Sequence, residues 1–134
     1  MKLLVISHGD FAAGICSTLR KFFGIDNVYP ACVTQEGGTS DLLKKANAYL
    51  EEWGEEQVVI CSDLKGGSAN QAALAFLERP GTFLISGMNL SLLLQIAMEA
   101  EITEEGIREM IEAAREDLVF VNDLAMGSVD EDDE

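Results

Sequence analysis

The chain has 134 residues, the length of one domain, and 48% of them are hydrophobic, enough to bury a core. Its net charge of −15 would repel a phosphate backbone, which excludes nucleic acid as a partner and favours a basic protein surface instead. No apolar run approaches the ~18 residues of a membrane span, the stretch before Ser7 is too short for a signal peptide, and three scattered cysteines make neither a disulfide framework nor a metal cluster, so a reducing cytoplasm is the expected setting.

Residues 2–6, Lys2 followed by the apolar run Leu3-Leu4-Val5-Ile6, are expected as a short buried strand. Phe11, Ile15, Leu19, Phe22 and Phe23 then recur at helical spacing, with Asp10 as the expected cap and Gly24 as the stop. A second strand is expected over 27–33, with Pro30 confining it to a sheet edge because proline donates no ladder bond. After Gly37-Gly38, one of Thr39, Ser40 or Asp41 is expected to cap a helix whose inner stripe is Leu42, Leu43, Ala46, Tyr49, Leu50 and Trp53. A third strand follows over 57–62, then Gly66-Gly67-Ser68 and a helix to about residue 77. The turn Arg79-Pro80-Gly81 leads to a fourth strand over 82–86, a helix over 90–98, and a helix capped by Thr103 and ending near 115. Leu118, Val119, Phe120 and Val121 read as a short fifth strand.

Strands alternate with helices and are apolar throughout rather than alternating, the pattern of a parallel sheet covered on both faces. The expectation is therefore one α/β domain over 1–122, a doubly wound, mainly parallel sheet in the order 2-1-3-4, followed by an acidic, disordered tail over 123–134.

In such sheets ligands sit beyond the carboxyl ends of the strands where the winding reverses, here between the first and third strands. Ser7-His8-Gly9-Asp10 follows the first, and Ser62-Asp63-Leu64-Lys65-Gly66-Gly67-Ser68 the third. The topology brings these two polar segments together. An imidazole acting as a nucleophile presents one bare nitrogen, so its other nitrogen must hold the proton. Asp63 is the carboxylate placed to accept that proton's hydrogen bond and so orient the ring of His8. Gly66 and Gly67 let backbone approach a ligand, and Ser68 offers a hydroxyl at a helix start, where amide groups favour anions. Together they describe a phosphohistidine site. Each piece has a plainer alternative: a lone histidine is often structural, Asp63 could cap a helix, and Gly-Gly-Ser is common turn chemistry. Lys65 is expected in solvent and Cys61 in the core.

The same residues carry a family resemblance. Ser7-His8-Gly9 with Ala12, then Ser62-Asp63-Leu64-x-Gly66-Gly67-Ser68-x-Asn70, then Ser86-Gly87-Met88-Asn89-Leu90-x-x-Leu93-Leu94 resemble the mannose-family IIA component of the bacterial phosphoenolpyruvate-dependent sugar phosphotransferase system, across about residues 1–122. The resemblance implies a fifth, antiparallel strand of the kind that can be exchanged between the two chains of a homodimer. It implies a phosphotransferase component without cofactor or metal. His8 would take phosphate from phospho-HPr and pass it to a IIB component, so that the membrane is reached only through the transporter. Asp63 would orient the ring, with Ser68 contacting the phosphate beside Gly67 and Gly66. Ala69 and Ser91 stand where the family often has proline, which leaves the first turn after Ser68 less pre-organised.

Three rivals share these features. A receiver-type domain would be phosphorylated on Asp63, but Ser7-His8-Gly9 replaces the acidic pair that such domains carry after the first strand. A regulatory phosphocarrier of the dihydroxyacetone-kinase type would keep the histidine chemistry without feeding sugar uptake. A flavin binder would need a hydroxyl-rich phosphate loop after the first strand, which is missing.

Overall fold

The computed structural model describes residues 1–125. Four strands, β1 (Lys2–His8), β2 (Val28–Val33), β3 (Val58–Ser62) and β4 (Thr82–Ser86), pair in parallel in the order β2-β1-β3-β4. The register sets Ile6 opposite both Ala31 and Ser62, and Ser62 opposite Ser86. β2 lies on an edge, where Pro30 withholds no bond that another strand needs.

The helices cover both faces. On one, Leu3, Val5, Val59, Cys61 and Ile85 pack against α1 (Phe11–Phe23), α4 (Leu90–Ala97) and α5 (Glu104–Arg115). On the other, Leu4, Ile6, Ala31, Val58 and Ile60 pack against α2 (Gly38–Trp53), α3 (Ser68–Ala73) and the 3₁₀ turn Leu74–Glu78. Successive strand residues point to opposite faces, so a strand covered on both sides must be apolar at every position. Leu93 of α4 is fully buried in the first cluster. Leu93→Ala should cost about 2–5 kcal/mol, read as a lower urea midpoint, because the sheet behind it cannot collapse into the cavity.

Helix ends show where local chemistry was read correctly and where it was not. Gly24 closes α1 in the left-handed conformation (φ 67°), and Thr103 caps α5 by accepting from the Gly106 amide at 3.0 Å. Asp10 occupies the cap position of α1 but makes no side-chain cap bond. The cap is Ser7, whose Oγ accepts from the Ala12 amide at 2.7 Å. α2 begins at Gly38, ahead of the three expected caps. Asp41 instead accepts from the Thr34 hydroxyl, which itself accepts from the Gly37 amide at 2.8 Å. The helix expected over 68–77 is α only to Ala73 and then tightens.

The fifth, antiparallel strand is not found among the described residues. The chain leaves α5 through turns, with the amides of Asp117 and Leu118 donating to the carbonyls of Ala114 and Arg115. Residues 118–120 have no regular structure and 121–125 are helical. An apolar run of four suits a strand or a helix alike, and only a pairing edge decides between them. Of the expected tail, 123–125 belong to that helical segment, and 126–134 lie outside the described residues.

Candidate functional site

His8 is the last residue of β1, and the sheet order puts it beside the chain leaving β3. Gly9, at φ 54°, turns the backbone away, and its amide donates to the Val33 carbonyl at 2.9 Å. The buried Ser7 hydroxyl holds the start of α1 immediately behind. The imidazole therefore stands on a rim fixed from both directions along the chain.

Asp63 is the first residue beyond β3. Its Oδ2 accepts from the His8 amide at 2.9 Å and meets ring Nδ1 at 2.8 Å, while its Oδ1 accepts from the Leu64 amide at 2.9 Å. Partial burial alone would push this carboxyl's pKa up. The hydrogen bonds from the His8 amide and ring, the imidazole's charge when protonated and the Leu64 amide outweigh it and hold the pKa below the ordinary carboxylate value. An ionised carboxylate only accepts, so Nδ1 carries the proton and Nε2 keeps its lone pair. Nε2 lies 2.9 Å from Ser68 Oγ, whose hydroxyl donates to it. The His8 side chain remains 45% exposed against 13% for Asp63, so the ring is open to solvent while its anchor is shielded.

Gly66 makes the turn at φ 79°. The Gly67 amide donates to the Leu64 carbonyl at 3.2 Å, and a Cβ built on Gly67 would meet His8 Cε1 at 3.1 Å. The glycine thus lets the ring lie flush against the turn. Gly67→Ala keeps an allowed backbone (φ −71°, ψ 164°) but pushes the ring aside. The expected result is a thermal midpoint close to wild type with reaction at His8 slowed by up to ~100-fold, measured on the same preparation.

All five expected site residues, His8, Asp63, Gly66, Gly67 and Ser68, meet at this rim. Asp10 and Lys65 make no side-chain hydrogen bond or ion pair there. A cavity of about 490 Å³ lined by Gly9, Asp10, Cys32, Thr34, Gln35 and Glu36 opens beside the ring but does not include it. Desolvation pushes the Cys16 thiol up to about 11 and that of Cys61 further, so both stay protonated packing groups. The residue whose role the sequence reading missed is Ser7. Its cap spans five residues across a glycine turn, outside the usual two- or three-residue spacing, and the serine's position directly before His8 was the available signal. Among the described residues no cluster of three or more His, Cys, Asp or Glu side chains could hold a metal, and no helix is long and apolar enough to cross a membrane.

Comparisons with known proteins bear on the family and the fold. The family model described as "PTS system fructose IIA component" matches residues 2–115. The sorbose-specific EIIA component of the phosphotransferase system from Lacticaseibacillus casei is 24% identical over 102 residues, 75% of this chain and 74% of the relative. Among solved structures, the PTS IIA protein associated with the fucose utilization operon of Streptococcus pneumoniae is 26% identical with a TM-score of 0.79, covering 92% of this chain and 95% of that one. The mannose/sorbose-specific IIA subunit from Enterococcus faecalis superimposes with a TM-score of 0.80 at 24% identity, covering 89% and 92% of the two chains, and supports the fold. A family match over most of the chain, on a fold whose rim gathers His8, Asp63 and Ser68 around one ring, makes this chain a member of the mannose-type IIA family of the sugar phosphotransferase system.

Proposed function

We propose that the protein is a cytoplasmic phosphocarrier in which Nε2 of His8 takes a phosphoryl group from phospho-HPr and hands it to a IIB component for sugar uptake. One observation carries this reading. Each ring nitrogen has a single partner of the right kind: an acceptor-only carboxylate on Nδ1 and a movable hydroxyl on Nε2.

In the forward step the Nε2 lone pair attacks phosphorus, and the N–P bond forms as the donor's N–P bond breaks in line. The donor imidazole leaves with its electron pair. Positive charge grows on the His8 ring and is offset by Asp63 through the Nδ1 proton, which does not leave. The Ser68 hydroxyl swings from Nε2 to a phosphoryl oxygen. The Gly66–Gly67 turn leaves room for the group, because no Cβ stands at either position. The protein supplies positioning and charge, which is most of what phosphoryl transfer needs. The return step to the acceptor histidine is the same sequence reversed. The exposed ring suits a protein donor better than a small molecule, which would be enclosed. The family resemblance further suggests that the carrier works as a homodimer, which sedimentation at equilibrium measures.

The test is incubation with phosphoenolpyruvate, enzyme I and HPr. The expected label is acid-labile and alkali-stable, as phosphohistidine is, and it discharges to IIB. An alkali-labile label would instead mark an acyl phosphate on Asp63 and overturn the reading.

A further inference from the structure

Ser68 is held by little of its own. The turn before it contains two glycines, and α3 is only six residues long before it tightens into a 3₁₀ turn. Short helices and glycine turns are weakly self-ordering, yet Ser68 must keep its hydroxyl on one ring nitrogen. Two residues further on, Asn70 supplies the missing restraint. Its Oδ1 accepts from the Ser62 hydroxyl at 2.9 Å and from the Ser86 hydroxyl, and the two hydroxyls are 3.2 Å apart. Ser62 is fully buried, and its carbonyl accepts from the amides of Gly87 and Met88 at 3.0 and 3.2 Å. One amide oxygen therefore joins the ends of β3 and β4 to the first turn of α3.

Resting on the phosphocarrier reading, we infer that Asn70 is a positioning residue that acts through Ser68, setting the Ser68 hydroxyl on Nε2 while Asp63 independently sets Nδ1. Asp63 is tied to the sheet through Ser62, its chain neighbour, and through both His8 bonds, so loss of Asn70 leaves it in place. The two ring nitrogens are thus governed by separate anchors.

The experiment reads the ring and the rate separately. His8 is the chain's single histidine, so the nitrogen spectrum of its ring is unambiguous. In Asn70→Ala the Nε2 resonance should move to its position in Ser68→Ala, with Nδ1 unchanged. Phosphoryl transfer at saturating donor should fall ~10- to 100-fold with KM for the donor unaltered. Ser68→Ala combined with Asn70→Ala should be no slower than Ser68→Ala alone. Asn70→Asp, which keeps an oxygen for both hydroxyls, should restore the Nε2 resonance. Ser86→Ala, which removes one of the two bonds, should give a smaller shift in the same direction, and this variant decides the matter if Asn70→Ala does not fold. An unmoved Nε2 resonance in the folded variant, or rate losses that multiply in the double variant, overturns the inference. If wild type takes no phosphate yet the ring shifts appear, the phosphocarrier reading fails and the positioning role stands.

Discussion

His8→Ala should take no label at all from phosphoenolpyruvate, enzyme I and HPr, a fall to background of at least ~1,000-fold. The chain contains one histidine, so no neighbouring imidazole can substitute for it. Two of the three thiols and the Ser68 hydroxyl are poor replacements. Cys16 and Cys61 are buried, with thiols pushed upward by desolvation, and Ser68 has no base other than the ring that the substitution deletes. The effect should be separable from folding. The His8 side chain is 45% exposed, and the backbone bonds that end β1 do not depend on it. Asp63 loses its ring partner but keeps the amides of His8 and Leu64. A thermal midpoint close to wild type with no label is the expected pair of readings. Normal labelling of His8→Ala would remove the central assignment.

Asp63→Asn should slow phosphoryl transfer by about 10²–10⁴-fold, the range expected when a ring loses the carboxylate that sets its tautomer. The carboxylate satisfies three donors: the His8 amide, the His8 ring and the Leu64 amide. An asparagine has one acceptor oxygen and two N–H donors, so it cannot satisfy all three. If its NH₂ faces the ring, Nδ1 becomes the acceptor and the proton moves to Nε2, which removes the lone pair that the proposed transfer requires. If its oxygen faces the ring, the NH₂ opposes the Leu64 amide and the developing imidazolium loses its counter-charge. The label that does form should be lost faster than in wild type.

The same variant carries a pH signature. The folded pKa of Asp63 is lowered, so the stability it contributes is fully present above the ordinary carboxylate value of about 3.9 and disappears as pH falls through the lower folded value. Wild type should therefore be more stable than Asp63→Asn at neutral pH, and the gap between their urea midpoints should close only below about pH 4. A gap that closes between pH 6 and 7 would implicate a different group.

The reading from sequence succeeded where each residue answers to its immediate neighbours. Apolar strands, the glycine stop at Gly24, the Thr103 cap and the edge placement forced by Pro30 all follow from local sterics and local hydrogen bonds. The sheet order was legible because parallel crossovers allow few windings, and the order in turn placed Asp63 beside His8. Reading failed where the partner is remote or the local choices are near in energy. Asp10 and Ser7 are both competent caps, and only the glycine turn decides which hydroxyl or carboxylate reaches the Ala12 amide. Asn70 was visible as a motif residue, but its bonds to Ser62 and Ser86 exist only once β3, β4 and α3 converge.

The run 118–121 marks the boundary most clearly. Leu118, Val119, Phe120 and Val121 suit a strand by composition, yet they are exposed and form no strand. A strand is defined by bonds to a neighbour, whereas a helix bonds to itself, so composition alone cannot decide whether that neighbour is present. By itself the sequence determined where the strands run, which turns need glycine and which side chains can do chemistry, because those properties belong to single residues and their near neighbours. The tertiary structure decided which nitrogen of His8 is left bare and what holds it there, because that depends on angles and distances of a few tenths of an ångström between segments that meet only when the sheet closes.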